Sequence, residues 1–335
     1  MNSLVQSRAI CGPILACLLG AAFGGPSGCQ QRHPTIAVIP RTEGNLLWES
    51  EHVGAEFAAR RTGASIYWIA PTREDDVEGQ IALVERTASS RFEGLVLAPD
   101  QALSLISPVR HVLTRGIPTV IIGSPLPLPA GGNLSYVLND DEEAGRLAAD
   151  RIGTLLHGRG TVAVLGMTPE VIGLMVRERS FERALAVRFP QISIVDKHLG
   201  LLNAPHEEQL TEETLRAHPD LNAIIALTSS SVDGALSALD SMHALRVRVV
   251  GFDYDGMPPP FDRYPNLDCI IQEDTRSMGE QAIELIRARR SGASVSAITR
   301  ISPTLITMAN LNTAPVRRML AQDWTLGRWN WSPTR

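Results

Sequence analysis

Hydrophobic and polar positions along the chain follow two alternating periods. Short apolar runs rich in β-branched residues, typical of strands buried on both faces, recur through residues 35–271. They predict nine strands, at residues 35–39, 65–69, 94–98, 119–122, 161–165, 192–195, 223–227, 247–251 and 268–271. Stretches with helical spacing lie between these runs. They predict helices that include residues 47–61, 80–89, 141–157, 170–189, 207–217, 231–244 and 277–290.

This alternation predicts an α/β fold made of two doubly wound, parallel-sheet lobes, because βαβ units build parallel sheets covered on both faces. A segment rich in proline and glycine, residues 124–133, separates the first four strands from the later ones and indicates a division into two similar lobes. Ligands bind beyond the carboxyl ends of strands in such sheets. We therefore expect functional residues just after Ile39, Ile122, Leu227 and Gly251.

Length and composition agree with two globular lobes. The 335 residues exceed the usual size of one domain, and 44% hydrophobic with 20% charged residues excludes a disordered or fibrous chain. The net charge is -5, from 31 basic and 36 acidic residues, without a basic tail, so we expect no nucleic-acid partner. The histidines are scattered, and phosphate-loop, Gly-x-Ser-x-Gly and His-Glu-x-x-His motifs are absent from the sequence. We therefore expect neither a metal nor a cofactor.

The first 28 residues predict a signal peptide, because a weakly basic start precedes an apolar run, residues 9–25, too short and too rich in glycine and proline to span a bilayer. The following Pro26-Ser27-Gly28-Cys29-Gln30 resembles the lipobox of bacterial lipoproteins. We expect Cys29 to carry a lipid anchor that holds the protein at the membrane, in the periplasm or at the cell surface. The proline departs from the usual aliphatic residue, so plain cleavage and release stays open. Cys17 matches better locally but leaves a shorter apolar run.

Four segments resemble one known family, in the correct order. The first is residues 39–48 with Gly54-Ala55, and the second is residues 139–148. The third, Arg177-x-x-Ser180-Phe181-x-x-Ala184-Leu185, follows the pattern Arg-x-x-Gly-Phe-x-x-Ala-Leu. The fourth is a group of short stretches, residues 224–231, 249–253, 270–273 and 278–279. Over about residues 35–308 the chain is similar to type I periplasmic binding proteins of the ribose-binding kind. Their ligand domain is shared with lactose-repressor-type regulators.

The resemblance implies two lobes joined by three hinge crossings, near Asn139, Gln272 and Thr304. Lobe one then comprises residues 35–138 plus 274–304, lobe two residues 139–272 plus 305–311, and a C-terminal tail residues 312–335. The tail contains Trp324, Trp329 and Trp331, three of the five tryptophans. We expect it to pack on the outer surface of one lobe, and a contact with a partner is the alternative.

The resemblance assigns ligand binding to eight side chains: Asn45, Trp48, Ser124, Arg177, Thr228, Asp253, Gln272 and Glu273. Their chemistry suits a sugar or polyol, whose hydroxyls donate and accept and whose CH face stacks on a ring. Arg177 supplies a donor fork, Asp253 an acceptor and Trp48 a ring. Asp253 directly follows an apolar strand, where an unpartnered carboxylate would be costly to bury.

Structural roles compete with ligand binding at several of these positions. Asn45 precedes a helix as an N-cap would. Trp48 suits a protein core, and Arg177 lies on an arginine-rich helix face of the kind normally solvated. Residues 139–143 are most simply a capped helix start, which we interpret as a hinge and not as a ligand contact.

The sequence also departs from the family pattern. The acidic residue common at the end of the fourth strand is Gly123, followed by Ser124, and the asparagine common after the seventh strand is Thr228. At the last site position, the distance to the following helix favours Glu273, whereas the Ile-Ile-Gln match favours Gln272. A sugar, a polyol and a ligand that bears an amine all stay open.

The resemblance implies a monomeric substrate-binding protein of an ABC-type importer, not an enzyme, which captures its ligand by hinge closure and is recognised by a permease. A sensing module that presents ligand to a receptor, and a doubly wound sugar-modifying enzyme, are the alternatives. A transcription regulator would need a basic helix-turn-helix of about 50 residues before the ligand domain. The 34 residues before the first strand have the character of a signal instead.

Overall fold

Twelve strands lie in the residues that the computed structural model describes, 35–43, 45–73, 76–255 and 258–321. They are β1 (Thr35–Ile39), β2 (Ser65–Trp68), β3 (Gly94–Leu97), β4 (Thr119–Gly123), β5 (Leu134–Asn139), β6 (Arg159–Met167), β7 (Gln191–Leu199), β8 (Ala223–Ala226), β9 (Arg248–Phe252), β10 (Leu267–Gln272), β11 (Ile298–Ile301) and β12 (Thr304–Ile306). The predicted signal peptide and Cys29 lie outside the described residues.

The strands form two six-stranded sheets. The first has the order β11-β5-β4-β3-β1-β2, and all its neighbours are parallel. The second has the order β12-β10-β9-β8-β6-β7 and is parallel except for β12, which runs antiparallel to β10. We call the two sheets with their helices lobe one and lobe two.

Nine helices lie in the same described part of the chain. They are α1 (Leu46–Thr62), α2 (Val77–Ser89), α3 (Ile106–Thr114), α4 (Asp141–Leu155), α5 (Ile172–Arg188), α6 (Ala204–Ala217), α7 (Ser229–Ser241), α8 (Thr275–Arg290) and α9 (Ala314–Met319). Six begin at a side chain that accepts a hydrogen bond from a first-turn N–H, as a polar N-cap does. These caps are Asn45, Asp76, Asp140, Asn203, Thr228 and Asp274.

Each sheet is covered on both faces. In lobe one, α1 and α8 pack on one face and α2 and α3 on the other. In lobe two, α4 and α5 cover one face, and α6 and α7 the other. The predicted fold class, two doubly wound α/β lobes, is therefore confirmed.

Two glycines let α1 and α8 approach closely. A Cβ at Gly54 would lie 1.9 Å from the carbonyl oxygen of Arg276, and a Cβ at Gly279 would lie 2.3 Å from that of Glu51. Any larger side chain would force the helix backbones apart. The glycines of the Gly54-Ala55 and Met278-Gly279 motifs are thus explained by packing.

The chain passes between the two sheets three times. The passages follow β5 at Asn139, β10 at Gln272 and β11 at Ile301. Ile301 pairs with Asn139 in the first sheet, and Gln272 pairs with Thr304 in the second, so the passages lie side by side.

Three strands were not predicted, and one expected boundary is wrong. The proline- and glycine-rich segment, residues 124–133, connects β4 and β5 of the same sheet and does not join the lobes. β5 escaped detection because Ser135 and Asn139 interrupt its apolar pattern, although it is wholly buried. β11 and β12 are only 4 and 3 residues long, too short for a clear periodicity.

The described start of the C-terminal tail packs on lobe two. Val316 and Met319 of α9 are buried in the hydrophobic cluster beneath α6 and α7. The three tail tryptophans lie outside the described residues. Across the described ranges, none of the helices combines the length and the apolarity that a bilayer crossing requires.

Candidate functional site

A cavity of about 260 Å³ lies between the lobes, at the carboxyl ends of the strands. Seven of the eight predicted ligand residues line it, and Gln272 does not. Those seven are Asn45, Trp48, Ser124, Arg177, Thr228, Asp253 and Glu273. Both lobes contribute to the wall, so a molecule held there touches both.

Arg177 of α5 is the centre of the lobe-two wall. Its side chain is only 1% exposed. Its guanidinium donates to Asp141 (Nε to Oδ1, 3.0 Å), to Asp253 (Nη1 to Oδ2, 2.6 Å) and to Glu273 (Nη2 to Oε1, 2.8 Å). Nη1 also donates to the Leu227 carbonyl at 3.1 Å, and the ring of Phe252 lies 4.5 Å from the guanidinium carbon. Arg177 is thus a buried cation fixed by three carboxyl groups.

Three acids around one cation alter each other's protonation. Burial, and then the charge of Asp253, raise the pKa of Glu273 to about 8 despite the opposing charge of Arg177. Burial also raises the pKa of Asp141. Burial alone would lower the pKa of Arg177, but the charges of Asp253, Asp141 and Glu273 hold it above its ordinary value. The site therefore keeps Arg177 charged and favours a proton on Glu273 near neutral pH.

Asp253 is held in an uncommon backbone conformation. It directly follows β9 with φ of 50°, a left-handed value that aspartate tolerates better than most residues. Its Oδ1 accepts from the N–H of Glu273 at 2.8 Å while Oδ2 accepts from Arg177. These two hydrogen bonds offset the free-energy cost of burying a carboxylate after an apolar strand.

Sequence reasoning missed Asp141. It was interpreted as part of a hinge, and it does open α4 at the first passage between the sheets. Its carboxylate also accepts from Arg177 and from the amide of Asn139 at 2.9 Å, and it lines the cavity. The hinge interpretation of this residue was therefore incomplete, because the first turn of α4 faces α5 across a close helix pair.

Of the two alternatives at the end of β10, Glu273 lines the cavity and Gln272 does not. Successive side chains point to opposite faces, so only one of the two faces the cavity. Glu273 does, and the inclusion of Gln272 is corrected. Gln272 is 1% exposed at the end of β10, and its amide nitrogen and oxygen have no hydrogen-bond partner among the described residues.

The lobe-one wall combines capping with donors. The Oδ1 of Asn45 accepts from the N–H of Leu47 at 2.9 Å, so the capping alternative holds although Asn45 also lines the cavity. Trp48 belongs to the core of lobe one and lines the cavity as well, and its buried Nε1 has no acceptor within the described ranges. Arg41, which was not predicted, follows β1 and pairs through Nε with Asp100 at 3.3 Å.

Ser124 bridges the lobes. Its Oγ accepts from the N–H of Gly173, in the first turn of α5, at 2.9 Å. The N-cap position of α5, Val171, supplies no side-chain hydrogen bond of its own. Nearby, the N–H of Ala102 donates to the carbonyl of Glu170 at 3.3 Å, a second bond between the lobes. These contacts define a closed arrangement of the cleft.

A second polar group surrounds the start of α7. Thr228 caps the helix by accepting from the N–H of Ser231 at 3.1 Å, and it also lines the cavity. The Oγ of Ser229 donates to Oδ1 of Asp255 at 2.7 Å. Burial, and then the charge of Asp255, raise the pKa of Asp233 to about 6. Asp233 and Asp255 were not predicted. The position of Asp255 two residues beyond Asp253 was the available signal.

Comparison with known proteins agrees with this geometry. The family described as periplasmic binding protein domain matches residues 36–294. A D-apiose import binding protein of Paraburkholderia graminis is 24% identical over 235 residues, 68% of this chain and 72% of that protein. A D-ribose/D-allose-binding protein of Pseudomonas aeruginosa is 28% identical over 228 residues, 66% of this chain and 70% of that protein.

Solved structures have the same fold. A carbohydrate transporter solute binding protein from Agrobacterium radiobacter, in complex with D-arabinose, superimposes with a TM-score of 0.79 at 22% identity, covering 87% of this chain and 100% of that one. An ABC transporter solute binding protein from Agrobacterium vitis, bound with α-D-tagatopyranose, gives a TM-score of 0.80 at 21% identity over 86% and 99% of the two chains.

Proposed function

The chain belongs to the periplasmic binding protein domain family, and from this premise we propose that it captures a sugar or polyol between its lobes and delivers it to the permease of an ABC-type importer. The named relatives are import and sugar-binding proteins, and the solved neighbours hold D-arabinose and α-D-tagatopyranose. The proposal carries that class of ligand over to this chain.

The observation that carries the proposal is a cavity walled by both lobes and lined by groups that match hydroxyls. Arg41 and Trp48 supply donors from lobe one, and Thr228, Asp253 and Glu273 supply hydroxyl and carboxyl groups from lobe two. The Trp48 ring adds an apolar surface for a CH face. A cavity of about 260 Å³ suits a small molecule and excludes a polymer.

A ligand in this cavity favours closure of the two lobes, because it contacts both of them. The three passages between the lobes lie side by side, an arrangement that permits rotation of one lobe against the other about a common hinge. A ligand that touches both walls binds the closed form better than the open form and shifts the population toward it. No bond of the ligand is made or broken, so the protein acts in transport and not as an enzyme.

We further propose that Cys29 is acylated after cleavage of residues 1–28. A monomeric protein tethered at the membrane would then meet its permease at high local concentration. One acyl chain binds a bilayer only marginally, so stable tethering requires more than one lipid chain.

A matched pair of tryptophan variants tests the site. Trp48 and Trp68 both pack against the hydrophobic cluster between α1 and the first sheet, but only Trp48 lines the cavity. A calorimetric and thermal-shift screen against pentoses, hexoses and polyols first identifies a ligand. Trp48→Ala then weakens its binding about tenfold or more, and Trp68→Ala lowers the melting temperature while leaving affinity unchanged. Equal ligand affinities for the two variants would show that this cavity is not the ligand-binding site.

Transport is tested in cells. Deletion of the gene abolishes uptake of the identified ligand, and the wild-type chain restores it, whereas the Trp48→Ala chain restores it poorly. If uptake persists in the deletion strain while a transcriptional response to the ligand is lost, the protein serves a receptor and the importer assignment is wrong.

A further inference from the structure

The cavity carries more acid than base. Among the described lining residues, five carboxyl groups face two guanidinium groups, a formal excess of three negative charges. The acids are Asp141, Asp233, Asp253, Asp255 and Glu273, and the bases are Arg41 and Arg177. A neutral sugar brings no positive charge to this cavity.

Both guanidinium groups already have carboxylate partners. Arg177 is bonded to Asp141, Asp253 and Glu273, and Arg41 pairs with Asp100, a buried acid outside the set that lines the cavity. Neither arginine is therefore available to compensate the remaining two lining acids.

Those two acids, Asp233 and Asp255, lie together at the start of α7 and in the loop after β9. Within the described ranges neither forms an ion pair. Asp255 is bonded to Ser229, and Asp233 interacts with the hydroxyl of Tyr254. The pKa of Asp233, raised to about 6 by burial and by the charge of Asp255, is the expected response of two close carboxylates without a cation.

The opposite wall of the cavity has the reverse polarity. The Nε1 of Trp48 and Nη2 of Arg41 are buried donors without an acceptor in the described part of the chain. Trp48 is 4% exposed, so its N–H has little access to bulk water. Unpartnered buried donors are costly, and a bound molecule that presents oxygen acceptors to them removes the cost. The lobe-one wall is therefore complementary to hydroxyl oxygens that accept hydrogen bonds, and the lobe-two wall is complementary to a cation.

We propose that the ligand is an amino sugar or amino polyol, with its protonated amine held by Asp233 and Asp255 and its hydroxyl oxygens directed to Trp48 and Arg41. The inference rests on the proposed function, because it places the ligand in the same cavity. An ammonium group donates up to three hydrogen bonds and matches two carboxylates and a serine hydroxyl. Closure on a neutral sugar would desolvate the two acids without a partner for them.

Matched ligand pairs test the proposal. Calorimetry at neutral pH compares glucose, galactose, mannose and ribitol with glucosamine, galactosamine, mannosamine and amino-deoxyribitol, and each hexosamine with its N-acetyl form. The amine of at least one pair binds about tenfold or more tightly than its neutral parent, because charge-assisted hydrogen bonds exceed neutral ones. N-acetylation, which removes the charge, abolishes the gain.

Charge-removing variants locate the amine. Asp233→Asn and Asp255→Asn each reduce affinity for the amine about tenfold and do not weaken binding of the neutral parent, whose closure then desolvates one charge fewer. Asp240→Asn, an exposed acid on the same helix and outside the cavity, alters neither. The melting temperatures of the three ligand-free variants show that each is folded.

The outcomes separate the two proposals. Neutral sugars that bind as tightly as their amines, or amine binding that is unaffected in both cavity variants, overturn the amine assignment and leave the sugar-binding function standing. Absence of binding across both neutral and amino compounds overturns the proposed function itself.

Discussion

At the scale of single residues, Arg177 determines the charge state of its surroundings. Three carboxyl groups converge on one guanidinium that is 1% exposed. Without it, the acids would remain buried and would repel one another. Truncation of one member of a buried ion network costs far more than an exposed pair contributes, because it leaves an uncompensated buried charge.

We therefore expect Arg177→Met to reduce the free energy of unfolding by about 3–5 kcal/mol at neutral pH. This loss of stability is smaller in mild acid, because protonation neutralises the carboxylates that Arg177 contacts. Arg179→Met, on the exposed side of the same helix, is the control and changes stability little. Denaturant titrations of both variants give the comparison, and equal losses would contradict a special role for Arg177.

Glu273 predicts a pH dependence of stability. Its pKa is raised in the folded state to about 8 from the ordinary value of 4.5. Between these values the folded protein binds the proton and the unfolded chain does not, so the free energy of unfolding falls as pH rises through this window. Glu273→Gln flattens that part of the profile, as measured by unfolding at a series of pH values. An unchanged slope would show that Glu273 ionises normally.

Sequence reasoning located several cavity residues that follow strands but missed Arg41 after β1 and Asp255 after β9. Asp253 was found because a carboxylate after an apolar strand is conspicuous. Asp233 lies inside a helix, and no periodicity distinguishes a cavity-facing acid from a solvated one. Gln272 and Glu273 could not be separated because adjacent strand residues differ only in the face they occupy, which the exact end of pairing decides.

At the scale of elements, helix α5 is capped from the opposite lobe. The cap that Val171 does not provide is supplied by Ser124 of the first lobe, through the N–H of Gly173. Opening the cleft separates these groups and leaves that helix N–H to water. Closure therefore contributes a helix cap, typically worth about 1 kcal/mol.

Ser124→Ala should shift the ligand-free protein toward the open form and weaken ligand binding about threefold to tenfold. Small-angle scattering of the ligand-free variant reports the opening as a larger radius of gyration. Asp76→Ala removes the cap of α2 within lobe one, through the N–H of Gly79, and serves as the control. It lowers the melting temperature without altering the radius or the affinity. A Ser124→Ala protein that binds ligand weakly at an unchanged radius would indicate a direct ligand contact instead.

The elements themselves were predictable where a periodic pattern of apolar residues extends over many residues. The seven predicted helices all occur because each combines an apolar face with helical spacing. β5 was missed because Ser135 and Asn139 interrupt its apolar pattern, and β11 and β12, at sheet edges, are too short for a clear periodicity. Tertiary context decides such short segments.

At the scale of the whole molecule, the sequence predicted two lobes and a leader, and the structure describes the two lobes. The two-lobed fold followed from the alternation of strands and helices, whereas the position of the lobe boundary came from the family resemblance. A turn-rich segment does not reveal whether it joins two strands of one sheet or two lobes.

The proposed anchor gives a prediction at this scale. Cys29→Ser releases the protein from the membrane fraction into the soluble periplasmic or culture fraction, because no lipid is attached. Cell fractionation measures this distribution, and mass spectrometry of the mature N-terminus detects the lipid. Cys269→Ser, at a buried thiol, is the control and leaves the distribution unchanged. A wild-type protein found wholly in the soluble fraction without added lipid mass would show plain cleavage.

The order of elements along the chain also constrains when lobe one is completed. The apolar face of α1 packs against Met278, Ile283 and Ile286 of α8, and β11 supplies an edge of the first sheet. These parts are synthesised only after the whole second sheet except β12. Domains fold as their residues emerge, but the core of lobe two also includes Ile306, Val316 and Met319, so lobe two too is completed only after β11 has been made. Until about residue 301 has been made, lobe one cannot complete its native core, so the folding of the N-terminal region depends on a segment synthesised more than 200 residues after β1.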